Sequence, residues 1–299
     1  MEIRSASKEE VAEFLLLWAA SEGWNPGKHD AQFHDIDKTG FLLGIESGEA
    51  VGAISAVMTP AVVGGAPFGY IGFFIVKPEH RTKGRGKKLF DAALSHLASC
   101  SAIGLDAVLE QVPRYSKNGF SPYHTNIRFS GAAVPCVPSD PGVCTDVPFE
   151  AIVAYDAPFF PGKREAFTAG WWSHPAHVSR AILDESGEVR GYGVVRPSQA
   201  GWRIGPLFAD SPVDAARLLA SLRGAVPAGD NICIDVPASN PAALALAEGA
   251  GMVKYFEVNP PSSTLNPNPR TLQGYLAHKK QPPPIGPPYD PRYSPTPGS

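Results

Sequence analysis

The sequence predicts an α/β protein in which one domain fold occurs twice. Its 299 residues are long enough for two domains, and a hydrophobic fraction of 43% is sufficient for packed cores. Short apolar runs alternate with amphipathic segments, as in chains that alternate strands with helices. Several features of the first half recur in the second half in the same order, which indicates two copies of one fold.

The first copy is predicted to cover residues 1–129. Apolar runs bounded by glycine or charged residues predict its strands, and apolar residues at helical spacing predict its helices. The predicted strands are 40–45, 50–57, 69–76 and 103–109, and the predicted helices begin near residues 6, 87 and 115. The turn at 46–49 joins the first two strands into a hairpin.

The second copy is predicted to cover residues 151–259, because four features of the first half recur there. The recurring pairs are Phe14 and Trp18 with Phe167 and Trp171, Glu46–Glu49 with Glu185–Glu188, Ile71-Gly72 with Ile204-Gly205, and Gly119-Phe120 with Gly251-Met252. Any single match carries little weight, whereas the shared order indicates an internal repeat.

Two proline-rich segments are predicted to lie outside the two cores. Residues 130–150 contain four prolines among small residues, a composition typical of a linker. Residues 260–299 contain twelve of the chain's 31 prolines, which favours polyproline geometry over a packed core. We expect this end to form an extended tail.

A basic, glycine-containing turn, Arg81-Thr82-Lys83-Gly84-Arg85-Gly86, separates the third predicted strand from the helix that follows it. Its glycines allow the backbone to approach a phosphate closely, and the N–H groups at a helix start attract anions. The turn therefore predicts a site for the pyrophosphate of a small molecule. It lacks the third glycine of a dinucleotide-binding fingerprint and the Gly-Lys-Ser/Thr of a P-loop.

The order of these elements, together with Arg81-x-x-Gly84-x-Gly86 and Tyr115-x-x-x-Gly119-Phe120, resembles the GNAT family of acyl-CoA N-acyltransferases. The whole chain is similar to a tandem-GNAT subfamily of the YitH type, in which a catalytic domain precedes a diverged GNAT-like domain. The resemblance implies that each domain is a mixed, mostly antiparallel sheet flanked by helices. It ends before the proline-rich tail.

The resemblance also implies acetyl-CoA as the co-substrate. Backbone groups of Phe74, Ile75 and Val76 would hold the pantetheine arm and polarise the thioester carbonyl. The pyrophosphate would bind to Arg81, Thr82, Lys83, Gly84, Arg85, Gly86 and Lys87. In the second copy, Asp210 and Asp214 occupy the matching place, so we expect that copy not to bind CoA.

Acyl transfer to an amine requires that the amine lose a proton and that the leaving thiolate gain one. Tyr115 matches the family's tyrosine at the start of the last helix, and the resemblance implies that it is the general acid. Family members often carry a carboxylate on the strand before the pyrophosphate loop, where this chain has none. Asp106 and Glu110, on or just after the next strand, are therefore the candidate bases, with a water relay as the alternative.

The acceptor amine is expected to bind near the loop after the first helix, as in GNAT folds. That loop contains Trp24, His29 and Asp30. Two roles remain open for the second copy: it supports the first structurally, or it completes the acceptor pocket through Arg196, Asp235 and Asn240. The spacing of His29 and His34 lacks a strong zinc pattern, so the sequence predicts no metal.

Composition narrows the class of partner. A net charge of −3 gives no general attraction to nucleic acid, and no apolar run is long enough to predict a membrane span. The N-terminal residues show no signal-peptide pattern, which favours a cytoplasmic location.

The expected function is direct transfer of an acetyl group to a small-molecule or peptide amine in a ternary complex. The alternatives are a CoA-binding regulatory protein without turnover and an O-acyltransferase, and the oligomeric state, monomer or homodimer, stays open.

Overall fold

The computed structural model describes residues 1–61, 67–108, 111–135, 140, 142–255 and 272–278, with the backbone alone at 122–124 and 272–278. The strands are β1 (Glu2–Ser5), β2 (Phe41–Glu46), β3 (Glu49–Thr59), β4 (Phe68–Val76), β5 (Ala102–Ala107), β6 (Phe120–Ala132), β7 (Val143–Cys144), β8 (Val178–Leu183), β9 (Val189–Pro197), β10 (Trp202–Ala209), β11 (Asn231–Pro237), β12 (Val253–Lys254) and β13 (Leu272–His278). The α-helices are α1 (Lys8–Glu10), α2 (Leu17–Ser21), α3 (Arg85–His96), α4 (Val112–Ser116), α5 (Phe149–Asp156), α6 (Glu165–Trp172), α7 (Pro212–Arg223) and α8 (Pro241–Gly249).

The first predicted helix begins one residue after Ser7, which forms a capping box with Glu10. The Ser7 hydroxyl accepts the Glu10 N–H, and the Glu10 carboxylate accepts the Ser7 N–H at 2.9 Å. A π-helical segment, Val11–Leu16, joins α1 to α2. The wider π turn was not predicted, because the apolar spacing that marks this helix does not distinguish it from an α turn.

Within the described part of the chain, the strands form one continuous sheet. Its order is β1-β2-β3-β4-β5-β13-β6-β11-β10-β9-β8-β7, and β12 pairs with β6. The first half of the sheet is antiparallel from β1 to β4 and then has a parallel pair, β4 with β5. In the second half, β8, β9 and β10 are antiparallel, and β10 and β11 are parallel. This repetition confirms the predicted fold class.

Each half has its own core on the face covered by its long helix. Helix α3 buries Leu89, Phe90 and Ala93 against strand residues such as Ile54 and Leu105. Helix α7 begins after the cap Ser211, whose hydroxyl accepts the Asp214 N–H at 3.1 Å. It buries Leu219 and Leu222 against strands of the second half, including Val195 and Ile204. The two helices therefore occupy equivalent positions in the repeat.

The two halves exchange strands at the centre of the sheet. Strand β6 pairs with β13 over Phe120–Asn126 and with β11 over Asn126–Ala132. Strand β13, from the segment predicted as an extended tail, lies between β5 and β6. The seven residues of β13 contain no proline, so each retains the N–H that a ladder needs. The predicted linker start at residue 130 lies inside β6, because Ser130 continues the ladder with Cys233.

Candidate active site

Strand β4 carries a β-bulge near its centre. Its antiparallel register with β3 shifts between the pairs Ser55–Gly72 and Ala53–Ile75, so β4 accommodates one extra residue. Phe73 has a φ of 47°, in the left-handed region that bulky residues rarely adopt. Strained backbone of this kind concentrates at ligand sites, so the bulge marks β4 as a candidate binding strand.

Strands β4 and β5 separate beyond the start of the bulge. Their parallel pairing covers Phe68–Ile71 and Ala102–Leu105, whereas β4 continues to Val76. Among the described strands, none pairs with this edge of β4 beyond Ile71. The backbone groups of the predicted residues Phe74–Val76 lie along the stretch where the two strands diverge. An extended ligand can therefore hydrogen-bond there as an added strand does.

Helix α3 begins at the predicted pyrophosphate loop. Its N-cap Gly84 has a φ of 76°, and a Cβ at this position would meet nothing within 4 Å. Thr82 also has a positive φ, of 67°. The glycine permits the left-handed turn that presents the first N–H groups of α3. Arg85 and Lys87 in the first turn add positive charge to the positive end of the helix dipole.

Two arginines of this loop hold its conformation through their side chains. Arg81 donates from Nε to the Val76 carbonyl at 2.8 Å and forms an ion pair with Glu22. Arg85 donates from Nε to the Glu46 carboxylate at 2.9 Å. Both guanidinium groups therefore brace the loop against neighbouring residues.

A pocket of about 150 Å³ opens between β4, α3 and α4. It is lined by Phe74, Lys87, Phe90, Arg114, Tyr115 and Asn118. A Cβ at Gly86 would approach the Phe74 ring to 3.4 Å and the Arg114 guanidinium to 3.3 Å, so the second loop glycine permits close packing here. The pocket thus brings together a predicted strand residue, a loop residue and the predicted general acid.

Tyr115 lies in α4 with only 9% of its surface exposed. Its ring packs against Phe90 and Phe120, with centroid distances of 5.7 and 6.1 Å. Burial raises the pKa of the Tyr115 hydroxyl, and the nearby charge of Arg114 offsets only part of that rise. The hydroxyl is therefore protonated at neutral pH, the state that a proton donor requires.

Asp106 lies on β5, one residue beyond its last pair with β4. The Tyr70 hydroxyl on β4 donates a hydrogen bond to the Asp106 carboxylate. Burial, and then the charge of Asp106, raise the pKa of Tyr70, so its hydroxyl stays protonated and holds the carboxylate. Asp106 is itself exposed and can meet an acceptor or a water molecule. Glu110, the other predicted base, lies outside the described residues.

Charged residues of the second half approach this pair. Asp235 accepts two hydrogen bonds from Arg128, at 2.7 and 2.9 Å, and another from Arg203. Burial alone would raise the pKa of Asp235, but the charges of Arg203 and Arg128 outweigh it and lower the pKa. Burial alone would lower the pKa of Arg203, but Asp235 and, more weakly, Asp106 raise it. Charges from both halves therefore interact where β4 and β5 separate.

The other predicted acceptor residues fall into two groups. Some lie at the seam, by which we mean the contact between the first and second halves of the chain, and others have local structural roles. Asp30 accepts the Gly27 N–H at 2.8 Å and lies 3.6 Å from Arg196, across the seam. Asn240 is the N-cap of α8, and its side chain accepts the Ala243 N–H at 3.1 Å. That capping bond explains Asn240 without an acceptor. Trp24 is partly buried just after α2.

A short loop of the first half is hydrogen-bonded to the turn between β9 and β10. The Asn25 side chain accepts the Ala200 N–H at 2.8 Å and donates to the Ser198 hydroxyl at 3.0 Å. The Lys28 N–H donates to the Pro197 carbonyl at 3.0 Å. These bonds fix the loop that precedes His29 against the second half.

Three histidines come together beside this seam, and the sequence predicted only one of them. His29 Nδ1 lies 3.3 Å from His177 Nε2, and the His29 and His174 rings stack at a centroid distance of 4.3 Å. Burial, with the neighbouring His174, lowers the pKa of His29. Burial lowers the pKa of His177 to about 4. Both rings are therefore neutral at pH 7. The available signal was the His174-x-x-His177 spacing, whose partner lies 145 residues away in the sequence.

The equivalent loop of the second half differs in its chemistry. Asp210 accepts a hydrogen bond from the Tyr155 hydroxyl at 2.7 Å and pairs with Arg190. Asp214 lies in the first turn of α7, where it accepts the Ser211 hydroxyl at 2.7 Å. Two carboxylates thus stand where the first half has glycines and cations, which supports the prediction that this loop binds no pyrophosphate.

Sequence reasoning missed three further residues of the seam. The sequence places Tyr70 on the predicted strand 69–76 without linking it to Asp106, and it does not distinguish Arg128 or Arg203. Tyr70 meets Asp106 because β4 and β5 are neighbours, and Arg203 meets Asp235 because β10 and β11 are neighbours. Arg128 lies beside Asp235 because β6 pairs with β11. These contacts join residues that are 32 to 107 positions apart in the chain, so local sequence patterns could not reveal them.

Comparison with known proteins agrees with this architecture. Residues 8–120 match the acetyltransferase (GNAT) family, and residues 152–265 match an acetyltransferase (GNAT) domain. Holothin acyltransferase of Pseudoalteromonas sp. (strain SANK 73390) is 30% identical over 237 residues, which cover 78% of each chain.

Two solved structures share the fold across nearly the whole chain. A protein from Pyrococcus horikoshii has a TM-score of 0.70 at 19% identity, covering 93% of this chain and 89% of its own. A tandem GNAT protein from the clavulanic acid biosynthesis pathway has a TM-score of 0.61 at 15% identity, covering 94% of this chain and 99% of its own.

These findings define a tandem acyltransferase fold, and the chain belongs to the GNAT acetyltransferase family, with two such domains. The protein is an enzyme of acyl transfer, and the family generally uses acetyl-CoA as its co-substrate. Within the described part of the chain, no helix is both long and apolar enough to cross a membrane.

Proposed function

We propose that the protein transfers an acetyl group from acetyl-CoA to an amine by direct attack in a ternary complex, with the chemistry confined to the first half. The observation that carries this proposal is the divergence of β4 from β5 directly before the glycine-capped start of α3. That arrangement offers backbone groups for a thioester arm and helix N–H groups for a pyrophosphate. The matching turn of the second half carries two carboxylates instead.

The donor binds along β4 and across the loop. Phe74, Ile75 and Val76 hold the pantetheine arm through their backbone, and one of their N–H groups polarises the thioester carbonyl. The N–H groups at the start of α3 hold the pyrophosphate, with the loop residues Arg81, Thr82, Lys83, Gly84, Arg85, Gly86 and Lys87 around it. The pocket beside Tyr115 receives the sulfur.

The reaction balances with two proton transfers. The amine nitrogen loses a proton to Asp106, directly or through water, and attacks the carbonyl carbon of the thioester. A C–N bond forms, the tetrahedral intermediate collapses, and the C–S bond breaks. The departing thiolate takes the proton of the Tyr115 hydroxyl, which is replaced from solvent.

The acceptor enters between the halves, where Tyr70, Asp106, Arg203 and Asp235 lie. A small molecule is the favoured acceptor class, because the relative that is 30% identical is named for the acylation of holothin. The thiols of Cys144 and Cys233 support a reducing, cytoplasmic setting. Trp24, Asp30 and Arg196 complete the seam from which the acceptor is recognised.

The experiment is a thiol-release assay with acetyl-CoA, run with holothin and a panel of small amines. The expected result is CoA release that requires an amine and yields the N-acetyl product by mass spectrometry. Tight CoA binding without release for any acceptor would instead identify a regulatory CoA-binding protein. Acetylated hydroxyl products would identify an O-acyltransferase.

A further inference from the structure

The strongest cluster of ligand-type side chains outside the proposed donor site is formed by His29, His174 and His177. One nitrogen of each ring lies within 4.8 Å of one nitrogen of each other ring. His29 comes from the first half, and the other two follow helix α6 in the second half. All three are partly buried, so an ion from solvent can reach them while protein packing still fixes the rings.

We propose that these three histidines bind one divalent zinc-type cation, which ties the two halves together at the seam. Imidazole nitrogens are preferred ligands of Zn²⁺, Co²⁺, Ni²⁺ and Cu²⁺, and three of them leave a fourth position for water. The ion takes no part in the proposed acyl-transfer step, although Asp30 and Arg196, which we propose as acceptor contacts, lie beside it.

The spacing of two ligands already matches a metal centre. Two nitrogen ligands of one tetrahedral zinc ion lie roughly 3.3 Å apart, because each Zn–N bond is about 2.0 Å long. His29 Nδ1 and His177 Nε2 are 3.3 Å apart. The third ring, His174, stacks on both of the others, at centroid distances of 4.3 and 4.2 Å. Because imidazole lone pairs lie in the ring plane, the His174 ring must turn out of these stacks to direct a nitrogen at the ion.

A backbone hydrogen bond to the other ring nitrogen fixes the orientation of His177, as is common for histidines that bind metals. Its Nδ1 lies 3.0 Å from the Trp171 carbonyl, which can only accept, so Nδ1 carries the proton and donates. That bond leaves a lone pair on Nε2, which accepts a hydrogen bond from His29 Nδ1 in the metal-free protein. An ion takes the place of this proton when the His29 proton moves to Nε2 of its own ring. Ligating histidines commonly donate their other N–H to a backbone carbonyl, which fixes the tautomer and orients the ring. His174 differs, because its Nδ1 accepts the Ala176 N–H at 3.1 Å and its Nε2 therefore carries the ring proton; an ion bound to His174 Nδ1 replaces that hydrogen bond.

The charges around the cluster permit a cation. Lys28, Asp30 and Arg196 are the charged groups that act on these rings. The Arg196 guanidinium lies 3.6 Å from the Asp30 carboxylate, which partly offsets its repulsion of an ion. The loop before His29 is already hydrogen-bonded to the second half at residues 197–200, so the ligand positions are largely preorganised.

The test uses the full-length protein without an affinity tag, stripped of metal with a chelator and then titrated with Co²⁺ and Zn²⁺. We expect one equivalent of Co²⁺ to give the visible d–d bands of tetrahedral nitrogen ligation, and Zn²⁺ to displace it. Zn²⁺ should also raise the unfolding midpoint, because it binds the folded state. The cobalt spectrum is measured on the unsubstituted chain, so it does not depend on any variant's folding.

Two variants remove single ligand atoms while keeping volume and hydrogen bonding. His177→Asn retains a donor for the Trp171 carbonyl, and His29→Gln retains an amide near the seam. Each should weaken Co²⁺ binding tenfold or more, since losing even an outer partner of a ligand costs about 10–100-fold. His80→Asn, beside Glu46 and outside the cluster, is the matched control and should bind normally. Absence of the tetrahedral spectrum, or unchanged Co²⁺ affinity in both variants, would show that the cluster is only a hydrogen-bonded stack.

Discussion

Tyr115 is the residue on which the proposed proton donation depends. Tyr115→Phe keeps the ring that packs against Phe90 and Phe120 but removes the hydroxyl. We expect kcat to fall by about 100-fold, the scale of general acid catalysis, while CoA affinity stays close to its original value. Steady-state kinetics together with calorimetric titration of CoA separates the two effects. A parallel loss of CoA affinity and kcat would show instead that Tyr115 supports the pocket.

A second buried tyrosine provides the control for this substitution. Tyr192 is fully buried, and its hydroxyl donates to Asp156 within the second half. Tyr192→Phe should lower the free energy of unfolding by about 1–3 kcal/mol, because Asp156 loses a buried partner. Its effect on kcat should be small, since the residue contacts no part of the proposed site.

Asp106 is the proposed general base, and Asp106→Asn tests that role with almost no change in the shape of the side chain. The amide oxygen can still accept the hydrogen bond from Tyr70, but the side chain can no longer take a proton from the amine. We expect kcat/KM for the acceptor to fall by about 100-fold with little change in CoA affinity. Turnover that survives unchanged would indicate that a water relay, without Asp106, removes the proton.

Among the helices and strands, the start of α3 is where a single substitution has the most specific expected effect on CoA binding. Gly84→Ala places a side chain at a φ of 76°, which costs about 1–2 kcal/mol in the left-handed region and shifts the first N–H groups of the helix. CoA affinity should fall tenfold or more, an effect of about 1.4 kcal/mol. Calorimetric titration of CoA measures it.

Gly48 offers a matched control for that element. It has a φ of 83° in the β2–β3 turn, and a Cβ there would also meet nothing within 4 Å. Gly48→Ala should cost similar stability in thermal unfolding but leave CoA affinity unchanged. If both variants lost CoA affinity equally, the loss would reflect global destabilisation and not the loop.

For helix caps and tight turns, the local sequence is sufficient to predict the structure. The capping box at Ser7, the cap at Ser211 and the hairpin turn at 46–49 use short-range rules, and the structure contains each of them. The β4 bulge is different, because it exists only relative to the register of β3. The sequence of one strand alone does not show where its register with the neighbouring strand will shift.

For the whole molecule, the ion pairs of Asp235 link the exchanged strand β6 to the second half. Asp235→Asn removes the charge that compensates Arg128 and Arg203, so we expect a loss of about 3–5 kcal/mol in the free energy of unfolding. The lowered pKa of Asp235 means that its contribution is complete above the unfolded value near pH 4 and is lost as pH falls further. Urea unfolding at pH 7 and below pH 4 should therefore show the variant's deficit shrinking in acid.

The exposed pair of Asp140 and Arg217 is the comparison. Arg217 also donates two hydrogen bonds to its carboxylate, both at 2.7 Å, but each side chain is 33% exposed. Asp140→Asn should cost no more than about 1 kcal/mol, because solvent screens the pair. Equal losses in the two variants would contradict a special role for the buried network.

Local sequence patterns predicted the repeated fold, the glycine turn at the start of α3, and the contrast between Gly84 in one half and Asp210 in the other. These features depend on neighbours within a few residues, where spacing, capping and charge act directly. By contrast, the assembled sheet places β13 between β5 and β6, Tyr70 against Asp106, and His29 against His174 and His177. Those contacts join residues far apart in the chain, and they form only when sheet pairing has brought the two halves together.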